Sequence, residues 1–134
     1  MRTMRIVLGS MALGLTACGA HSPADDAKAA ADSVTRSIYA NDYDAAVAPF
    51  EDATKKTMTR DEVGQLSQGM HALGDYTSLT QRSADPDTGK YQYDAAFTNG
   101  TLLVQLRVDP DGKIGAYRVQ AEPARAASHA SPNG

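Results

Sequence analysis

Cys18 is the sole cysteine of a 134-residue chain. With no second thiol it has no internal disulfide to make, so its chemistry is that of a nucleophile, and the thiolate is the reactive form. The other residues able to do chemistry are dispersed. Asp85-Pro86-Asp87 and Asp109-Pro110-Asp111-Gly112 carry carboxylates two positions apart, as calcium loops do. Neither has a later acidic ligand at the twelfth position, so ordinary β-turns account for both. His71 stands alone beside an apolar helical stripe, where a solvent-facing or locally satisfied imidazole is the plain reading. Six tyrosines with only two phenylalanines would give a cavity walls of mixed polarity. The same residues also suit cross-strand packing with hydroxyls at a rim. There is no phosphate loop, no metal-spaced His/Cys set and no nucleophile elbow, so neither a metal nor a cofactor is expected.

What surrounds Cys18 gives that thiol a use. Met1-Arg2-Thr3-Met4-Arg5 is positive, and Ile6 to Leu15 is an apolar run of ten residues. Ten residues are too few to span a bilayer and suit a signal peptide. The run ends in Leu15-Thr16-Ala17-Cys18, which resembles the bacterial lipobox: an aliphatic residue, two small residues, then cysteine. The resemblance implies export, transfer of diacylglycerol to the Cys18 thiol, cleavage before Cys18, and in many bacteria acylation of the new amine. Small side chains before the cysteine leave the backbone open to an enzyme, and two or three acyl chains hold a protein where one is marginal. Gly19 follows where an Asp would favour inner-membrane retention, which points to the outer membrane, facing the periplasm, in a Gram-negative cell. Residues 1–17 are therefore expected to be a lipoprotein signal peptide and 18–24 a lipid-anchored tether. Losing Arg2 and Arg5 takes the formal net charge from −3 to −5. That acidity offers no basic face to nucleic acid.

The first half of the mature chain is patterned as helices. Ser22-Pro23-Ala24-Asp25 is a helix start, and Ala27, Ala31, Val34 and Ile38 recur on one face until about Ala40. Asn41-Asp42 turns the chain into a short helix carrying Tyr43, Ala46, Val47 and Phe50, which Pro49 keeps from growing. Glu51 to Met58 has little apolar content and reads as an irregular connection or frayed helix. Thr59 and Glu62 make a capping box before the stripe Val63, Leu66, Met70, Leu73, and Gly74 suits a left-handed cap.

The second half is patterned as strands. Tyr76 to Arg82 is rich in β-formers. Tyr91, Tyr93, Ala95 and Phe97 alternate with polar or small residues, and Asn99-Gly100 predicts a two-residue hairpin. Leu102, Val104, Leu106 and Val108 share one face, with Leu103, Gln105 and Arg107 on the other. A last strand runs from Ile114 to Val119, with Gly115 marking a bulge or a close approach. The alanine-, serine- and proline-containing run 121–134 is expected to be a disordered tail.

Helices followed by a four-stranded antiparallel meander make an α+β layer over residues 25–120. Ile38 to Ala45, Leu73 to Tyr76, Phe97 to Leu102 and Val108 to Gly115 resemble the helix junction, helix-to-strand junction and last strands of a family of small bacterial proteins of unknown function. That family has the nuclear transport factor 2-like, or cystatin-like, cone fold, and the resemblance covers about residues 27–120. It implies amino-terminal helices packed on a curved sheet, with a pocket between them that some relatives use for isomerase or dehydratase chemistry and many use only to bind or associate. In such a pocket Tyr76, Tyr91, Tyr93, Phe97 and His71 are the lining residues expected here. Asp94 is the carboxylate a catalytic relative would need, but it alternates away from the Tyr93 face. The reading is a membrane-anchored, non-catalytic module for a small apolar ligand or an envelope protein, with an isomerase- or hydrolase-like enzyme as the alternative. A homodimer built on Leu103, Gln105 and Arg107 of the open sheet face is a third arrangement.

Overall fold

The computed structural model describes residues 22–121. The signal segment, Cys18 with most of its tether, and the tail beyond Ala121 lie outside the described residues. Four helices come first: α1 (Pro23–Tyr39), α2 (Tyr43–Val47), α3 (Asp52–Thr57) and α4 (Arg60–Ala72). Four strands follow: β1 (Tyr76–Asp85), β2 (Lys90–Phe97), β3 (Gly100–Val108) and β4 (Ile114–Ala121). They form one antiparallel sheet in the order β1-β2-β3-β4, so the architecture is α+β with an open sheet. Among the described residues no helix is long and apolar enough to cross a membrane.

The helix ends follow local chemistry. The Asp25 N–H donates to Ser22 Oγ at 3.2 Å, with Pro23 in the first turn. Asp42 accepts from the Ala45 N–H at 3.2 Å to start α2. The Thr59 box is complete: its Oγ1 accepts from the Glu62 N–H at 3.2 Å, and its N–H donates to Glu62 Oε2 at 2.7 Å. Gly74 has φ +89°, as a residue leaving a helix through the left-handed region should. Ala27, Ala31, Val34 and Ile38 are all buried, and so is Thr35 beside them. On α4, Val63 and Met70 are fully buried, while Leu66 and Leu73 pack at the margin.

Two stretches refine or depart from the sequence pattern. Residues 52–57 form a short helix, the helical one of the two readings of this stretch. No residue of α3 is buried, so no apolar period announces it. Its ends are matched to the helix dipole instead, with Asp52 in the first turn and Lys55 and Lys56 in the last. The hairpin is also displaced by one residue. Phe97 pairs with Gly100, so the loop is Thr98-Asn99, not Asn99-Gly100. Tertiary contacts set this register. The Asn99 N–H donates to Leu73 O at 2.8 Å and the Thr98 N–H to Asp75 O at 3.0 Å. Gly100 lies close to Leu73, whose Cδ2 would be 2.9 Å from a Cβ at that position.

The sheet has an inner face that carries the core. Tyr91, Leu106 and Tyr117 form one inner row, and Tyr93, Val104 and Val119 the next. Register shifts in β1 at Tyr76/Ser78 and Gln81/Ser83, and in β4 at Gly115, which is left unpaired opposite Arg107/Val108, let the sheet bend. The two in β1 also blunt that exposed edge strand. The β4 edge is closed differently. Phe50 leaves α2 and makes a parallel bridge with Ile114, flanked by Ile114 N–H to Pro49 O at 2.9 Å and Glu51 N–H to Ile114 O at 3.0 Å. This moors α3 beside β4.

Candidate functional site

The mooring of α3 opens a cleft of about 950 Å³ between α3, the start of α4 and one end of the sheet. Met58, Leu66, Leu106, Tyr117 and Val119 supply apolar wall. Glu51, Thr54, Glu62 and Gln65 supply polar wall, and Gln92, Gln105, Arg107 and Arg118 border the cleft from strand positions that alternate onto the sheet's other face. A second, smaller hollow of about 740 Å³ lies between the first turns of α1 and the two Asp-Pro turns, with Ala30, Pro86, Val108 and Pro110 in its wall. Tyr91 borders both.

Tyr117 is held rigidly in the wall. Thr35 Oγ1 donates to Ala31 O at 2.7 Å, which uses its one proton. The Tyr117 hydroxyl, 2.8 Å away, therefore donates to Thr35 Oγ1, and the relay pins β4 to α1. Burial pushes the Tyr117 hydroxyl well above the usual tyrosine range.

The five expected pocket residues do not converge. Tyr91 borders the cleft. Tyr93 is fully buried, and its hydroxyl has no hydrogen-bond partner among the described residues. Burial, with the neighbouring Tyr91 second, pushes its pKa up to about 12. Phe97 packs into the core between Tyr39 and Tyr76, with ring centroids 6.3 and 5.5 Å away. Tyr76 donates to Asp32 Oδ1 at 2.7 Å, and the Arg36 guanidinium lies 5.0 Å over its ring. Arg36 also pairs with Asp32 at 2.8 Å, so this trio ties α1 to β1. Burial raises the Asp32 carboxyl, but the hydrogen bonds from Arg36 and Tyr76 with the charges of Arg36 and Lys28 outweigh it, and the net shift is downward. His71 is exposed on α4, stacked on Tyr39 at 4.0 Å, with Nε2 2.8 Å from the Tyr39 carbonyl oxygen. That oxygen only accepts, so Nε2 carries the proton.

The remaining candidates are also engaged. Asp94 pairs with Arg82 at 3.0 Å on the sheet face away from the helices. Asp85 accepts from the Thr88 N–H at 3.4 Å and Asp111 from the Lys113 N–H at 3.0 Å, as turn residues do. Leu103 lies on the outer face yet shows only 6% of its surface, while Gln105 is half-buried and Arg107 exposed. Among the described residues no group of three or more His, Cys, Asp or Glu is placed to hold a metal ion.

Glu51 is the cleft residue that sequence reading missed. Its carboxyl is raised above the ordinary glutamate value, first by a hydrogen bond with Asp109, then by burial and by the Asp109 charge. It sits in a stretch without periodicity, and its partner is fifty-eight positions along the chain, so no local signal marks it.

Comparison with protein-family models, with curated proteins and with solved structures finds no match to this chain.

The two buried tyrosines give a paired prediction. Tyr117→Phe removes the donor to Thr35 and should cost about 1–2 kcal/mol in denaturant unfolding. Tyr93→Phe removes a hydroxyl without a partner among the described residues and should be neutral or stabilising by up to about 1 kcal/mol. Equal losses for the two variants would mean that Tyr93 has a partner of its own, such as a buried water.

Proposed function

We propose that the mature chain is an envelope lipoprotein anchored through lipid on Cys18, and that its domain is a non-catalytic binding module of the nuclear transport factor 2-like cone type. The occupant is a small apolar ligand held in the cleft beside α3. The observation that carries this reading is the wall itself: an apolar patch of Met58, Leu66, Leu106 and Val119 beside polar side chains that can orient one end of a guest. The groups expected to do chemistry support it from the other side. Asp94, His71 and Tyr76 are each engaged elsewhere.

Ala53 tests this without touching the core, because it is exposed on α3 and borders the cleft. A naphthalene sulfonate dye that fluoresces in apolar surroundings should bind the purified domain. Ala53→Trp, which lays an indole over the cleft, should weaken that binding about tenfold or more, given roughly 1.5 kcal/mol for blocking an apolar contact. Dye binding unchanged by Ala53→Trp would remove the cleft as the site.

Glu51 favours a second reading, the isomerase- or hydrolase-like enzyme, since a cleft carboxyl with a raised pKa is suited to proton transfer. It predicts turnover abolished by Glu51→Gln, whereas the binding module predicts dye affinity kept in that variant.

A further inference from the structure

The domain has two poles, and the chain from Cys18 arrives at only one of them. α1 begins beside both Asp-Pro turns: Pro23 and Ala30 line the smaller hollow together with Pro86 and Gly89 of one turn and Pro110 of the other. It ends at the opposite pole, where the Tyr39 hydroxyl donates to Gly74 O at 3.2 Å and the β2–β3 hairpin is held by the Asn99 N–H on Leu73 O. The ten residues of β1 run from that far pole to the turn end, so the poles lie about 30 Å apart. Ser22 caps α1 through its Oγ, which fixes the first described residue at the turn end. Cys18 stands four residues earlier. Four residues reach at most about 14 Å in any conformation. Lipid on Cys18 puts that residue at the headgroups, so the turn end is confined near them and the far pole is not. Charge gives the flank no hold of its own. The exposed Asp25, Asp26, Lys28 and Arg36 of α1 carry both signs and offer no basic stripe to anionic lipid.

We propose that the short tether stands the domain on the bilayer by its turn end. The first turn of α1, the β1–β2 turn (86–89) and the β3–β4 turn (109–113) face the headgroups; the α4–β1 junction and the β2–β3 hairpin point away. This orientation rests on lipid at Cys18 and not on what the cleft binds. The tether does the holding, rather than affinity of the end for lipid. Exposed Asp25, Asp26, Asp87 and Asp111 oppose Lys28, Lys90 and Lys113 there, so the end has no surplus of positive charge. The orientation also decides where the cleft opens. Gly89 and Val108 wall the hollow, Lys90 and Arg107 next to them border the cleft, and Tyr91 borders both. The cleft thus begins one strand residue beyond the membrane-facing end, within reach of a guest that leaves the bilayer.

Fluorescence quenching in the lipidated full-length chain tests this. Cys18 is the only cysteine, and a thioether occupies its sulfur, so an added cysteine is the single free thiol. Asp87→Cys places that thiol on the β1–β2 turn and Ala72→Cys places it at the end of α4, both at exposed positions. Each variant is extracted from the bacterial membrane, labelled with bimane and reconstituted in phosphatidylethanolamine–phosphatidylglycerol vesicles, with and without lipid that carries a nitroxide on its headgroup. The nitroxide should quench the probe at position 87 and leave the probe at position 72 as bright as it is without quencher. Inserting about twelve glycine and serine residues between Ala20 and His21 should remove most of the quenching at position 87, because a flexible linker of that length frees the end from the surface. A chain that does not float with the vesicles lacks its anchor, which overturns the anchoring and the orientation together. A chain that floats with both probes quenched lies on its flank, and one that floats with neither quenched, or only position 72, is not standing on its turns; each overturns the orientation and leaves the anchoring intact. Quenching at position 87 that survives the longer tether overturns the tether as its cause.

Discussion

Phe50→Ala is expected to destabilise the domain by about 3–5 kcal/mol, the cost of deleting a buried aromatic ring. Phe50 is 1% exposed, and its ring centroid lies 6.1 Å from that of Tyr117. The ring anchors the segment that bridges to Ile114. Its loss therefore leaves a cavity under the cleft and loosens the attachment of α3. A domain of roughly 100 residues has only about 5–15 kcal/mol in total, so the variant should unfold at a much lower denaturant concentration. A loss under about 1 kcal/mol would mean that the β4 edge is held without Phe50.

The second large effect belongs to Gly89. It has φ +68°, and a Cβ built on it would run into the Val108 carbonyl oxygen. Gly89 itself accepts from the Val108 N–H at 2.8 Å, so the two backbones are in contact where β2 begins. Gly89→Ala combines the left-handed penalty of about 1–2 kcal/mol with displacement of backbone that has no rotamer to give, for a total of about 2–4 kcal/mol. Gly112 is the internal control. Its φ is +84°, but nothing lies within 4 Å of its Cβ position. Gly112→Ala should therefore cost only the conformational part, about 1–2 kcal/mol. Thermal unfolding of the two variants side by side separates close approach from backbone conformation, and equal losses would refute the close approach at Gly89.

These two residues mark where the sequence was and was not informative. The elements that obey a short-range rule were legible. Ser22, Asp42 and Thr59 cap helices because a side-chain oxygen can reach an amide three residues on. The α1 stripe and the Tyr91–Phe97 alternation were legible because burial on one face imposes a period. Phe50 was visible as apolar, but its bridge to Ile114 joins positions sixty-four apart, and Pro49 signals only that a helix stops. The hairpin register failed for a similar reason. Asn99-Gly100 is a local preference, and the Leu73 and Asp75 carbonyls outweigh it. The site was less legible than the fold. Tyr76 and His71 look like pocket residues in a sequence, yet Asp32 and Tyr39 occupy them, and neither pairing leaves a local trace. Glu51 precedes a helix with no buried face, so nothing in its neighbourhood draws attention to it.

We propose above that this domain works at a membrane surface, held there by lipid on Cys18. Mass spectrometry of the mature amino-terminal peptide, from the full-length chain expressed in a bacterium and extracted from its membranes, is the most direct test. The account predicts a peptide that begins at Cys18 and carries a thioether-linked diacylglyceryl group. A peptide that begins elsewhere, or one that begins at Cys18 with a free thiol, would contradict it.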